Sequence, residues 1–184
     1  MAQIIPDMKT ATKTRSQKRE QSENSSLRSA QQRILLVDDD AGVRGSLHDV
    51  LVEEGYEVIP ANDGQQALEF IASTSIDLVL LDLNMPRKNG WDTFERLSAE
   101  HPVVPVILIT ARPNQLFTAL NAGVAALLEK PLDISVLLET IARLLVEPVE
   151  TRLARLAGRD FSFRYAAGKT EAPTSRKSPP SATT

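Results

Sequence analysis

The sequence predicts an α/β protein built on a doubly wound parallel sheet, and three observations lead to this fold class. Short apolar runs recur between residues 33 and 128, and each is followed by a stretch with apolar residues at helical spacing. The run at 78–81, LVLL, is apolar throughout, as in a strand buried on both faces of a parallel sheet. Turn residues separate each run from the next helix. This alternation predicts a (βα)5 chain with helices on both faces of the sheet.

The order of the strands follows from how such units connect. Crossovers between parallel strands are right-handed, which leaves few topologies for five strands. We expect the flavodoxin-like order 2-1-3-4-5, in which ligands bind at the carboxyl ends of the strands. The predicted strands cover residues 33–37, 56–59, 78–81, 106–109 and 125–128.

Helix ends are predicted from capping residues. Asp40, Asp63 and Asp133 each precede an amphipathic stretch, where a carboxylate can accept hydrogen bonds from the amides of the first turn. Gly55 and Gly123 are placed to end the first and fourth helices. Pro148 breaks the fifth helix, and one further amphipathic piece is predicted between it and Gly158.

Charge divides the chain into three parts. Lys/Arg and Asp/Glu number seven and three in residues 1–33, seven and eighteen in residues 34–147, and seven and three in residues 148–184. An acidic body between basic, polar ends predicts one folded domain with two solvated tails. We therefore expect a disordered basic tail at 1–32, a domain at 33–147, and a short helix followed by a disordered basic tail at 148–184.

Composition narrows the class of protein further. The chain has no cysteine, which excludes disulfides and thiolate metal sites and is typical of a reducing compartment. No apolar run approaches the roughly 18 residues of a membrane span, and no secretory signal begins the chain. We expect a cytoplasmic protein without a membrane partner.

Polar residues follow four of the five predicted strands. The acids Asp38 and Asp39 follow the first strand, Asp82 the third, the hydroxyl of Thr110 the fourth, and the amine of Lys130 the fifth. Each residue alone has a structural explanation as a helix cap, a turn or a surface lysine, but chance does not easily place all five at the correct strand ends. Clustered carboxylates favour Mg²⁺, and a lysine opposite the ion completes an electrostatic clamp on a phosphoryl group.

Between residue 33 and about residue 146 the chain resembles the receiver domain of two-component response regulators, in the stand-alone, chemotaxis-receiver form. The resemblance lies in several short motifs that occur together and in order, which makes it very specific. These motifs are Asp38-Asp39, Asp82, Asn84-Met85-Pro86, Gly90, Thr110-Ala111 and Lys130-Pro131.

The resemblance implies a role for each site residue. Asp82 would be the phosphoacceptor, and Asp39 and Asp82 would ligate Mg²⁺ with Asp38 close by. The main-chain carbonyl of Asn84 would supply another ligand. Lys130, whose bond to the following proline is a candidate for the cis form, would hold the phosphoryl oxygens.

The resemblance also implies a mechanism and a set of partners. The phosphoryl group would come from a phosphohistidine of a sensor histidine kinase or a histidine phosphotransfer protein. Thr110 would then move to bond it and bias a two-state equilibrium, with slow self-dephosphorylation. The chain would be a switch or a relay in a phosphorelay, and not a metabolic enzyme. A downstream protein would bind the face formed by the fourth helix, fifth strand and fifth helix.

One residue departs from the family pattern. Receivers usually carry Tyr or Phe three residues before the lysine, and this chain has Leu127 there. We therefore predict a weaker switch between Thr110 and the surface.

Two other functions remain open at this point. The basic tails could attach the protein to nucleic acid, since basic arms add salt-dependent affinity, although neither tail carries a recognition helix or zinc ligands. A phosphorylation-independent pseudo-receiver is the second alternative, which the complete set of five site residues disfavours. The roughly 40 residues after the domain are too few for an ordinary output module, so a stand-alone receiver is expected.

Overall fold

A parallel six-stranded sheet organises the chain. The computed structural model describes residues 31–85, 90–112, 114–160 and 162–168. The strands are β1 (Arg33–Val37), β2 (Glu57–Ala61), β3 (Leu78–Asp82), β4 (Val106–Thr110), β5 (Ala126–Glu129) and β6 (Arg164–Ala166). The helices of this part of the chain are α1 (Ala41–Glu53), α2 (Gly64–Ser73), α3 (Gly90–Glu100), α4 (Leu116–Asn121), α5 (Ile134–Leu145) and α6 (Val149–Leu156).

The strand order confirms the predicted topology and extends it. The order is β2-β1-β3-β4-β5-β6, and every neighbouring pair is parallel. The first five positions are the predicted 2-1-3-4-5 arrangement, with bounds that differ by at most two residues. The sixth strand was not predicted. The prediction of a disordered tail after the short helix is therefore wrong for residues 164–166, where the backbone pairs with β5.

The predicted capping residues begin and end the helices. Asp40 accepts from the amides of Gly42 and Val43 at 2.8 and 3.1 Å, and Asp63 accepts from the Gln66 amide at 2.9 Å. Asp133 caps α5 in the same way. At the other end, Gly55 and Gly123 have φ angles of +92° and +70°. A residue with a Cβ pays a steric penalty there, so glycine ends these helices at low cost.

Two apolar layers cover the two faces of the sheet. Alternate residues of each central strand point to opposite faces, so the fully apolar strands supply both layers. One layer lies under α2, α3 and α4 and the other under α1 and α5. The first layer includes Leu35, Leu81, Leu108, Leu127, Phe94 and Leu97. The second includes Ile34, Leu80, Ile109, Leu128, Leu47 and Ile141.

Helix α6 and the segment after it pack against the domain. Arg155 is buried on α6, where it is ion-paired with Glu147 and donates from Nε to the Ser162 carbonyl at 2.6 Å. Phe163 is partly buried against the first apolar layer. The short helix predicted after Pro148 is confirmed, and it turns the chain back toward the sheet.

Some predictions fall outside the described residues. They concern Pro86 of the motif after Asp82 and those parts of the two predicted tails that lie before residue 31 and after residue 168. Among the residues that the structure does describe, no helix has the length and apolar composition needed to cross a membrane.

Candidate functional site

The five predicted site residues meet at the carboxyl edge of the sheet. Asp82 is the last residue of β3 and Thr110 the last residue of β4. Asp38 and Asp39 directly follow β1, which lies next to β3, and Lys130 directly follows β5, which lies next to β4. The parallel order therefore brings residues up to 92 positions apart into one crevice.

A lysine bridges two buried acids at the centre of this crevice. Lys130 Nζ donates to Asp82 Oδ2 at 2.9 Å and to Asp38 Oδ2 at 3.1 Å. Asp38 and Asp82 are only 1 % and 3 % exposed, whereas the lysine side chain is 23 % exposed. Its ammonium group is thus the cation that balances two carboxylates removed from water.

Burial and charge shift the pKa values of this group. Burial raises the pKa of Asp38 above its usual range, and hydrogen bonds from the Asp40 amide and from Lys130 only partly oppose this shift. Burial alone would lower the pKa of Lys130, but the hydrogen bonds and charges of Asp82 and Asp38 outweigh it, so the pKa is raised. Lys130 therefore stays a cation at neutral pH.

The acids form a site that fits a divalent cation. Carboxylate oxygens of Asp38, Asp39 and Asp82 all lie within 4.8 Å of one another. Asp39 is exposed at the mouth, while the other two are buried. Hard, anionic oxygen donors are the ligands that Mg²⁺ takes in proteins, where it binds one or two carboxylates and keeps several waters. The residues present thus fit the predicted ion.

The turn after β3 holds Asp82 in place. The Asn84 amide donates to Asp82 Oδ1 at 3.0 Å. Gly90, at the start of α3, packs directly against the backbone of this turn. A Cβ on Gly90 would lie 2.6 Å from the Leu83 Cα and 2.7 Å from the Asp82 carbonyl oxygen. Only glycine permits this approach, which accounts for the Gly90 of the motif. The predicted metal contact of the Asn84 carbonyl stays a prediction.

Thr110 is buried beside the acids. Its hydroxyl accepts from the Arg112 amide at 3.0 Å and lies 3.5 Å from Asn84 Oδ1, close enough for a weak hydrogen bond. The Thr110 hydroxyl therefore contacts the loop that follows Asp82. Leu127 is fully buried in the first apolar layer, in register with Leu108 on β4.

Several contacts at the site were not predicted from the sequence. The Asp40 amide donates to Asp38 Oδ1 at 2.9 Å, and Arg44 Nη1 donates to the Asp38 carbonyl at 2.6 Å. The cis bond between Lys130 and Pro131, by contrast, was a candidate from the sequence. Gly168 lies against the Lys130 main chain. The one signal for this last contact is the alternation of aromatics at 161, 163 and 165, a period typical of a strand.

Fold and site together define a class of protein. A doubly wound parallel sheet that gathers three carboxylates, a hydroxyl and a lysine at its carboxyl edge is a flavodoxin-like domain whose crevice suits a phosphoryl group and a metal ion. The model of the response regulator receiver domain matches residues 34–142, more than half of the chain. The chain belongs to the response regulator receiver domain family.

Relatives and solved structures agree with this assignment. The transcriptional regulatory protein CpxR of Escherichia coli (strain K12) is 46 % identical over 103 residues, which are 55 % of this chain and 44 % of CpxR. The transcriptional regulatory protein PdtaR of Mycobacterium tuberculosis (strain ATCC 25618 / H37Rv) is 37 % identical over 112 residues, 59 % of this chain and 54 % of PdtaR. The chain thus spans about half the length of the curated relatives it matches.

Two solved structures show the likeness in three dimensions. A CheY-like receiver domain protein from Methanospirillum hungatei JF-1 has 32 % identity and a TM-score of 0.60, covering 63 % of this chain and 94 % of that one. The response regulator TrrA of Thermotoga maritima, solved in complex with Mg²⁺-BeF, has 31 % identity and a TM-score of 0.58, covering 61 % and 98 %.

Proposed function

We propose that this receiver accepts a phosphoryl group on Asp82 and changes its binding of a downstream protein in response. The proposal is supported by the position of Lys130 Nζ, which is hydrogen-bonded to both buried acids, Asp38 and Asp82, with Asp39 beside them. This arrangement concentrates cationic and metal-binding groups around one carboxylate.

In the transfer, an oxygen of Asp82 forms a bond to phosphorus while the bond from phosphorus to the donor imidazole breaks. The imidazole leaves with the electron pair of that bond. Negative charge spreads over the three transferring oxygens, and Lys130 is close enough to Asp82 to hold one of them. The protein contributes mainly position and electrostatics, because this chemistry requires little else from side chains.

Mg²⁺ is the ion proposed for the site. Asp39 and Asp82 would hold it directly with Asp38 close by, and the Asn84 carbonyl would complete the protein ligands. When bound, the ion supplies positive charge to the transferring oxygens. Slow hydrolysis of the acyl phosphate by water would reset the switch, so we propose no other enzymatic activity.

Thr110 is proposed as the switch residue. Its hydroxyl makes a long contact to Asn84 Oδ1 on the loop after Asp82. It can turn from there to a phosphoryl oxygen on Asp82, because a charge-assisted hydrogen bond is stronger than that contact. Leu127 lies in the apolar layer below and would pass on a small packing change.

The partners follow from the same proposal. The donor would be a phosphohistidine of a sensor histidine kinase or phosphotransfer protein. A downstream protein would bind the α4-β5-α5 face, where β6 now forms the edge of the sheet. A cytoplasmic location and the absence of direct nucleic-acid binding belong to this proposal.

Phosphorylation by a small acyl phosphate tests the role of the ion and of Lys130. We expect the full-length chain to be phosphorylated with Mg²⁺ but not in excess chelator. Lys130→Gln should slow the reaction about a hundredfold, because removing one electrostatic donor costs that much. Arg96→Gln, which removes an exposed cation on α3, serves as the control. Equal phosphorylation in chelator, or an unchanged rate for Lys130→Gln, would contradict the proposal.

A further inference from the structure

Residues 162–168, here named the C-terminal clamp, are anchored at their start by a buried arginine. Arg155 on α6 is 6 % exposed and donates to the Ser162 carbonyl at 2.6 Å. The Ser162 amide donates to Asp160 Oδ1 at 2.7 Å. Because an arginine removed from water needs its partners, this end of the clamp is fixed to the domain.

The middle of the clamp is paired with the strand that leads to the site lysine. Arg164, Tyr165 and Ala166 are in parallel register with Ala126, Leu127 and Leu128 of β5. The Arg164 guanidinium donates two hydrogen bonds, at 3.0 and 2.7 Å, to Glu139 on α5. These contacts fix the clamp to both β5 and the helix behind it.

A side-chain contact links the clamp to the residue before the lysine. The Tyr165 hydroxyl lies beside the Glu129 carboxylate, which raises the pKa of Tyr165. Glu129 is the last residue of β5, so the clamp reaches the point where the chain enters the site.

The far end of the clamp lies against the main chain of the site lysine itself. A Cβ on Gly168 would lie 2.5 Å from the Lys130 carbonyl oxygen, 2.8 Å from its carbonyl carbon and 3.1 Å from Pro131 Cδ. These are backbone atoms and a ring atom, which cannot swing aside as a flexible side chain can. Gly168 is therefore in contact with the Lys130 peptide at a distance that only glycine allows.

We propose that the C-terminal clamp positions Lys130 for phosphoryl transfer, with Gly168 as its positioning residue. The clamp holds the outer side of β5 and the Lys130 carbonyl, while the Lys130 amide donates to the Thr110 carbonyl at 2.7 Å on the inner side. The peptide that carries Nζ to Asp38 and Asp82 is thus held from two sides. This inference rests on the proposed function for its kinetic consequence.

Variants of Gly168 in the full-length chain separate positioning from general stability. Gly168→Ala and Gly168→Val force the clamp and the Lys130 peptide apart, and we expect phosphorylation by acetyl phosphate to slow by about tenfold or more, since small misplacements at a reacting centre have large effects on rate. The rate should stay low at saturating Mg²⁺, because the three acids lie at the ends of β1 and β3, which are not neighbours of β6 in the sheet. Gly45→Ala is the matched control, since a Cβ there meets no atom within 4 Å.

A wild-type rate for folded Gly168→Val would overturn the proposal, as would a loss of rate that is entirely a change in Mg²⁺ dependence. If the wild type itself accepts no phosphoryl group, the proposed function fails, and the clamp is judged by amide hydrogen exchange alone. Gly168→Val should then raise exchange at β5 and the Lys130 amide several-fold, and Gly45→Ala should not. Unchanged exchange there would overturn the clamp independently of the phosphoryl chemistry.

Discussion

Among the individual residues of the site, two buried carboxylates share one cation. Asp38 and Asp82 are almost without contact to solvent, and both are hydrogen-bonded by Lys130. Like charges in such proximity repel unless a cation joins them. The lysine therefore stabilises the fold, and in the proposed function it would also hold a phosphoryl oxygen.

Removing the lysine should make this double role measurable. We expect Lys130→Gln to lower the free energy of unfolding in chelator by about 2–3 kcal/mol, because it leaves two buried carboxylates without their cation. Added Mg²⁺ should restore stability to the variant more than to the wild type, since the ion no longer competes with an ammonium. Chemical denaturation with and without Mg²⁺ measures both effects. Arg96→Gln, an exposed control, should lose little, and an equal loss in both variants would contradict the account.

The secondary-structure elements differ in how well they could be predicted from the sequence. Strands β1 to β5 and their helices were predictable, because unbroken apolar runs, capping acids and glycines act locally along the chain. Strand β6 was not, because three residues carry little signal and their pairing with β5 depends on Arg155 and α6 turning the chain back. The site residues at the strand ends followed from topology, whereas the approach of Gly168 to Lys130 depends on β6 and could not be predicted.

The ion pair between β6 and α5 should make this edge sensitive to acid. A hydrogen bond from Arg164, with its charge, lowers the pKa of Glu139 below its usual 4.5. A lowered carboxyl pKa means that the pair stabilises the fold above the unfolded-state pKa, and that this contribution is lost as the pH falls through the folded-state pKa. The melting temperature of Glu139→Gln should therefore be below that of the wild type at pH 7.

The gap between the two melting temperatures should close as the pH falls below 4.5. Thermal melts between pH 3 and pH 7 measure it. Glu95→Gln, on the exposed side of α3, is the control and should show little difference at any pH. A gap for Glu139→Gln that persists unchanged at pH 3 would show that Arg164 is held by something other than this charge.

Across the whole molecule, the proposed switch would connect Asp82 to the surface through Thr110 and then through the apolar layer under α4. Leu127 is fully buried there, with Leu108 on one side and Tyr165 of β6 in register on the other. An aliphatic side chain enclosed in this way has no second, exposed position comparable to that of an aromatic ring. The folded unit also extends to Gly168, beyond the predicted boundary at residue 147.

The coupling between phosphorylation and the downstream face should consequently be modest. We expect a free energy near the low end of about 1–3 kcal/mol. The readout is the affinity of a downstream partner for the phosphorylated and unphosphorylated wild type and for Leu127→Tyr. Leu127→Met, which conserves volume, should behave as the wild type does. A change of about a hundredfold or more in the wild type would show that an aromatic residue is unnecessary at this position.

We propose Asp82 as the residue that takes the phosphoryl group. Intact-mass measurement after incubation with acetyl phosphate and Mg²⁺, followed by peptide mapping, tests it most directly. Wild type should gain the mass of one phosphoryl group on the peptide that contains Asp82, and Asp82→Asn should gain none. An equal adduct on Asp82→Asn would contradict the assignment.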